Sequence, residues 1–150
     1  MKLQVLWITA RRADKQSAIQ YLSEEYTNRL SRFVTIETRS VASEEALLKM
    51  LGGAAGRVPP FVVLLDSRGK QSTSEEFAQF IESHQSRGTQ TLLFAVGPAD
   101  GFSEKTLKSA NQLLSLGKMT LAHELARVVL LEQLYRAFTI LKGHPYHSGH

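Results

Sequence analysis

The chain contains no cysteine, so disulfides, thiolate metal sites and cysteine nucleophiles are excluded together. That absence suits a reducing compartment, and a cytoplasmic location is expected. Proline occurs four times and tryptophan once in 150 residues, and no segment is biased enough to read as a linker or disordered tail. Long uninterrupted apolar runs are missing as well. The most apolar region, Leu121 to Leu141, carries Glu124, Arg127, Glu132 and Arg136, and a membrane span there would have to bury all of these charges. No membrane association is expected. Met1-Lys2 leads straight into Leu3-Gln4-Val5-Leu6-Trp7-Ile8, a strand-sized run without the apolar core and cleavage site of an export signal.

What is present is the composition of a folded domain. Hydrophobic residues make up 43% of the chain and charged residues 21%, and the length suits a single domain over residues 1–150. The net charge of +4 makes an anionic partner such as RNA plausible. The basic residues are nevertheless scattered in short pairs, Arg11-Arg12, Arg29 with Arg32, and Lys105 with Lys108. No aromatic-rich RNA-binding motif interleaves them.

Strand-like and helix-like patterns alternate along the chain. Leu3 to Thr9 reads as a strand, and Ile19, Leu22, Tyr26 and Leu30 then recur at helical spacing, predicting a helix from about Asp14. Val34, Ile36 and Thr38 alternate as a second strand. Ser43, followed by Glu44 and Glu45, opens a second helix that Gly52-Gly53 closes. Residues 52–60 form a loop. Phe61 to Leu65 is continuously apolar, as in a strand covered on both faces, and ends at Asp66. Thr73 and Glu76 form a capping-box pattern for a third helix, with Phe77, Phe80, Ile81 and His84 on one stripe and Gly88 beyond. Thr91 to Val96 is a fourth strand; a short helix starts near Ser103, a fifth strand near Gln112, and a long last helix follows the Leu116 loop. Such alternation predicts an α/β fold, a parallel-type sheet sandwiched by helices. Ligands in that class sit beyond the carboxyl ends of the strands. Here those ends are Asp66 to Lys70, Gly97 to Gly101 and Leu116 to Thr120, which are expected to converge on one pocket.

Familiar phosphate motifs are not met. Ser67-Arg68-Gly69-Lys70 lacks the earlier glycine and the following Ser or Thr of a Walker loop, and no G-x-G-x-x-G follows the first strand. Gly97-Pro98-Ala99-Asp100-Gly101 lies between a strand and a helix, where Gly97 and Gly101 let backbone approach a ligand. On spacing alone an ordinary tight turn fits it better than a ligand loop. Glu132 and Arg136 stand four residues apart on the last helix, which suits a surface ion pair as well as a functional one. His144, His147 and His150 suggest a metal cluster, but no carboxylate accompanies them; no metal is expected. His123 is expected to pack against or cap the last helix. That helix holds 14 apolar residues among the 21 from Leu121 to Leu141, alanine and tyrosine included. One core-facing stripe needs fewer, so a homodimer through its second face is expected.

Taken in order, Ser115, Lys118-Met119-Thr120, His123, Arg127, Glu132-Gln133, Tyr135-Arg136-Ala137, Gly143 and Tyr146-His147 resemble the rRNA large-subunit methyltransferase H family. The likeness runs essentially from Met1 to the terminal Pro-Tyr-His. It implies a SPOUT methyltransferase fold with a C-terminal trefoil knot, a feature that periodicity would never suggest. It further implies S-adenosylmethionine as cofactor and methylation of N3 of a pseudouridine in helix 69 of 23S rRNA on the ribosome. Cofactor-binding positions carried over from the family are Leu65, Gly97, Leu116, Gly117, Lys118, Met119, Thr120 and Leu121; Gly101 joins them from the loop reading. Substrate-side groups would be Arg136, Tyr146 and His147, with His147 the first candidate for the base that removes the N3 proton. Two positions depart from the family. Its usual Gly-Gly reads Gly97-Pro98, which removes one amide donor, and the basic residue after Tyr-His is replaced by Ser148-Gly149-His150. The alternatives are a catalytically weakened SPOUT-like module that binds RNA or ribosomes, and a flavodoxin-like nucleotide-binding domain.

Overall fold

Among the described residues five parallel strands form one sheet, and their order explains where the helices that connect them sit. The computed structural model describes residues 1–9 and 17–148. The expected helix start near Asp14, the Arg11-Arg12 pair, Gly149 and His150 lie outside the described residues. The elements run β1 (Lys2–Ile8), α1 (Ala18–Leu30), β2 (Thr35–Val41), α2 (Glu44–Leu51), β3 (Phe61–Gln71), α3 (Ser74–Ser86), β4 (Thr91–Val96), α4 (Glu104–Lys108), β5 (Gln112–Ser115) and α5 (His123–Leu141). The sheet order is β2-β1-β4-β3-β5, every pairing parallel. Right-handed crossovers require connections that move opposite ways across a sheet to lie on opposite faces. Accordingly, Leu30 of α1 and Phe77 and Ile81 of α3 join one core with α5, whereas Leu47 of α2 and Leu107 of α4 join the other.

Local chemistry sets the helix starts. Ser17, Ser43, Thr73 and Ser103 each accept a backbone N–H of the first turn, and Thr73 with Glu76 completes a reciprocal capping box. α5 has no such cap: Ala122 precedes it, with no side-chain hydrogen bond, so His123 does not cap. Tertiary burial holds this helix. Leu130, Leu131, Leu134, Ala137 and Phe138 are essentially inaccessible; truncating a phenylalanine so placed costs about 3–5 kcal/mol.

Two expectations need correction. β3 does not end at Asp66. Leu65 and Lys70 are both in register with Leu114, so residues 66–69 loop out and the chain returns to the same neighbour. Asp66 shapes the excursion by accepting the Arg68 backbone N–H at 2.9 Å. Gly69 permits the return, because a Cβ there would stand 2.6 Å from Leu113 C and Leu114 N. The excess apolar surface of α5, secondly, is largely covered by its own chain. α1 and α3 flank it, with Tyr135 against Tyr26 and Phe33 of the α1 side. A helix laid between two others needs more than one apolar stripe without any partner subunit. Leu125 remains 49% exposed and Leu121 37%.

Candidate functional site

The excursion within β3 and the loops that leave the carboxyl ends of β4 and β5 enclose a cleft of about 420 Å³. From β3 come Leu65 to Arg68; from β4, Val96 to Phe102; from β5, Leu114 to Gly117 and Met119 to Leu121, with His123 and Ala126 of α5 closing one side. Of the expected binding positions, Leu65, Gly97, Gly101, Leu116, Gly117, Met119, Thr120 and Leu121 all line this cleft. Lys118 is exposed and does not. His123, expected only to pack against or cap the last helix, also lines the cleft. Arg127 is buried beside the cleft, its guanidinium 4.2 Å from the Trp7 ring centre.

The loops owe their shape to a few backbone constraints. Gly101 has φ +79° and its N–H donates to Pro98 O at 2.8 Å, so a tight turn brings the loop back before α4. An ideal Cβ on Gly101 or Gly117 would meet no protein atom within 4 Å. In the third loop the Ser115 hydroxyl accepts Gly117 N–H at 3.2 Å and donates to Gly117 O at 3.0 Å. Arg68 ties the rim together, donating to Asp66 and to Glu104 at 3.0 Å each. Its proximity holds the Asp66 carboxyl below the usual carboxylate range. The cleft therefore offers turned backbone, an apolar floor and the carboxylates of Asp66 and Asp100.

Arg136, Tyr146 and His147 are brought together, but not at the cleft. Arg136 donates Nε at 3.0 Å and Nη2 at 2.6 Å to Glu132 Oε1, in a pair with side chains only 25% and 17% exposed. Such a pair is better fixed than a solvated surface pair. The Tyr146 hydroxyl donates to the same Glu132 oxygen at 3.1 Å, and the Arg136 guanidinium lies 4.9 Å from the Tyr146 ring centre. Burial, then Tyr26 and Glu132, pushes the Tyr146 hydroxyl well above its ordinary range, so it stays a donor. His147 bridges Arg136 Nη1 at 2.9 Å and Glu75 Oε1 at 2.7 Å. Glu75 carried no local signal, since 72 residues separate it from His147. His144 Nδ1 accepts the Tyr146 N–H at 3.2 Å. Ala126, the last α5 residue on the cleft, stands ten residues before Arg136, about 15 Å along the helix axis.

In parallel α/β folds, a cleft at the carboxyl edge of the sheet is where ligands bind. Comparison with known proteins makes that class specific. Residues 1–147 match the family model described as predicted SPOUT methyltransferase. The ribosomal RNA large subunit methyltransferase H of Koribacter versatilis (strain Ellin345) is 60% identical over 150 residues, the full length of both chains. The protein of that name from Geobacter sp. (strain M21) is 38% identical, covering 98% of this chain and 99% of its own. Two solved structures share the fold. A probable methylase family protein from Haemophilus influenzae Rd KW20 superposes with TM-score 0.56 at 9% identity, over 96% of this chain and 69% of that one. The tRNA (m1G37) methyltransferase from Aquifex aeolicus gives TM-score 0.54 at 15% identity, over 91% and 70%. The chain belongs to the SPOUT methyltransferases, and within them to the ribosomal RNA large subunit methyltransferase H family.

Proposed function

We propose that this protein uses S-adenosylmethionine to methylate N3 of a pseudouridine in helix 69 of 23S rRNA on the cytoplasmic ribosome. The observation that carries the reading is the convergence of the β3 excursion and the loops after β4 and β5 on one cleft, in a chain 60% identical over its full length to a ribosomal RNA large subunit methyltransferase H. The cleft fits the cofactor. Gly101 and Gly117, where an added Cβ would meet no protein atom within 4 Å, leave room for a nucleoside, Leu65, Leu116, Met119 and Leu121 supply apolar contact, and Asp100 is available to ribose hydroxyls or the amino group. Bound there, the cofactor would supply an activated methyl group. The residues of the chain then have to orient the base, remove its N3 proton and exclude competing water. Arg136 suits a phosphate or base carbonyl, Tyr146 stacking or hydrogen bonding, and His147 the proton.

Separation of the Arg136 cluster from the cleft supports a homodimer in which the tail of one subunit completes the cleft of the other. Met119, Leu121 and Leu125 are 85%, 37% and 49% exposed around the cleft and offer apolar surface for that contact. Among the described residues no helix is long and apolar enough to cross a membrane.

Replacing His147 or Tyr146 with Ala is expected to separate binding from turnover. Calorimetric affinity for S-adenosylhomocysteine stays within about twofold, while methyl transfer to ribosomes falls on the order of 100-fold, the weight of a proton-transfer group. Normal turnover in His147→Ala would remove the tail from the chemistry. Cofactor binding by the wild type with no transfer to any ribosomal substrate would instead leave an RNA-binding module.

A further inference from the structure

The partners of His147 decide which of its nitrogens can take a proton. A carboxylate has no hydrogen to give, so the 2.7 Å contact between His147 Nε2 and Glu75 Oε1 requires hydrogen on Nε2. A guanidinium has no lone pair to offer, so the 2.9 Å contact with Arg136 Nη1 requires a bare Nδ1. Together they fix the neutral ring as the Nε2–H tautomer. The ring is well held, its side chain 13% exposed, and its donor bond reaches across to the first turn of α3. Arg136 is itself locked by Glu132 and lies against Tyr146. All five side chains belong to one subunit, so the unit arrives already assembled wherever the tail acts.

From this geometry we infer that Glu75 is a positioning residue acting through His147, and that Nδ1 is the atom that accepts the substrate proton. This rests on the proposed methyl transfer. When the target base displaces Arg136 Nη1 from Nδ1, the N3 proton passes to Nδ1 and the N3–H electron pair stays on nitrogen, free to attack the methyl carbon. The carbon–sulfur bond of the cofactor breaks with its pair remaining on sulfur, and the proton later leaves Nδ1 for water. Charge favours the step. With neutral His147 the cluster of Arg136, Glu132 and Glu75 carries one net negative charge, and uptake of one proton brings it to zero. Without the Glu75 carboxylate the same proton would leave a net positive cluster.

Two measurements test the assignment. Long-range proton–nitrogen correlation of the histidine rings in the intact wild-type protein, with His147→Ala to identify the signals, is expected to show Nε2 protonated and Nδ1 bare. A proton on Nδ1 in neutral His147 would overturn the proposal whether or not the protein methylates rRNA. The second is a coupling experiment with Glu75→Gln, which keeps an oxygen to accept Nε2–H but removes the charge. kcat for methyl transfer is expected to fall on the order of tenfold or more, with KM for ribosomes and affinity for S-adenosylhomocysteine within about twofold. In a His147→Ala background the same substitution should cost nothing further, because its effect passes through the imidazole. A full additional loss there, or a change confined to KM, would make Glu75 a tether for the tail and overturn its positioning role. Absence of any wild-type transfer would sink the proposed function, and the ring tautomer would still decide the dyad.

Discussion

Gly69→Ala is expected to destabilise the protein by about 3 kcal/mol or more, the upper end of what overpacking costs. The new Cβ would stand 2.6 Å from Leu113 C and Leu114 N and 2.7 Å from Leu114 C. These are backbone atoms of β5, not the flexible end of a side chain. β5 cannot retreat, because Val63, Leu64 and Leu65 hold it before the excursion of β3 and Lys70 and Gln71 hold it after. Moving it would break the ladder on one side or the other. Gly52→Ala is the matching control: Gly52 has φ −76° and an added Cβ meets nothing within 4 Å, so that change should be neutral or slightly stabilising. Urea unfolding of the two variants makes the comparison. Equal midpoints for Gly69→Ala and wild type would mean that the chain does not cross β5 so closely.

Gly101→Val is expected to weaken S-adenosylhomocysteine binding on the order of 100-fold or to abolish its calorimetric signal, with a much smaller effect on unfolding. At φ +79° a β-branched residue is strained by about 1–3 kcal/mol. The loop can relieve that strain by opening the turn closed between Gly101 N–H and Pro98 O, which displaces residues 97–102 along the cleft. Because no protein atom lies within 4 Å of the added Cβ, the core is not overpacked. Unchanged affinity would show that the loop after β4 does not hold the cofactor.

The sequence made the layered α/β sheet legible because parallel strands announce themselves twice, by apolar runs such as Phe61 to Leu65 and by the capped helices between them. Ser43, Thr73 and Ser103 mark helix starts through chemistry confined to one turn, and they do so in the structure. The ends of β4 and β5 were readable for the same reason. The excursion of β3 was not, since Ser67-Arg68-Gly69-Lys70 looks like a loop, and only the facing backbone of β5 turns it back into strand. Nor was the setting of α5: its apolar excess is satisfied largely by α1 and α3, and a one-dimensional pattern does not distinguish a flanking helix from a second subunit. Glu132 was visible as the i, i+4 partner of Arg136, whereas Glu75 reaches His147 from a distant helix. Pro98 survives in the cleft wall because the turn it begins takes its N–H from Gly101 and needs only the proline carbonyl.

The most direct test of rRNA methylation by this protein is mass spectrometry of helix 69, excised from the 23S rRNA of cells that carry the gene and of cells that lack it. The proposed activity predicts one methyl group on a pseudouridine, placed at N3 by fragmentation, that disappears with the gene and returns when the wild-type chain, but not His147→Ala, is supplied. The same methylation state in both cell lines would contradict it.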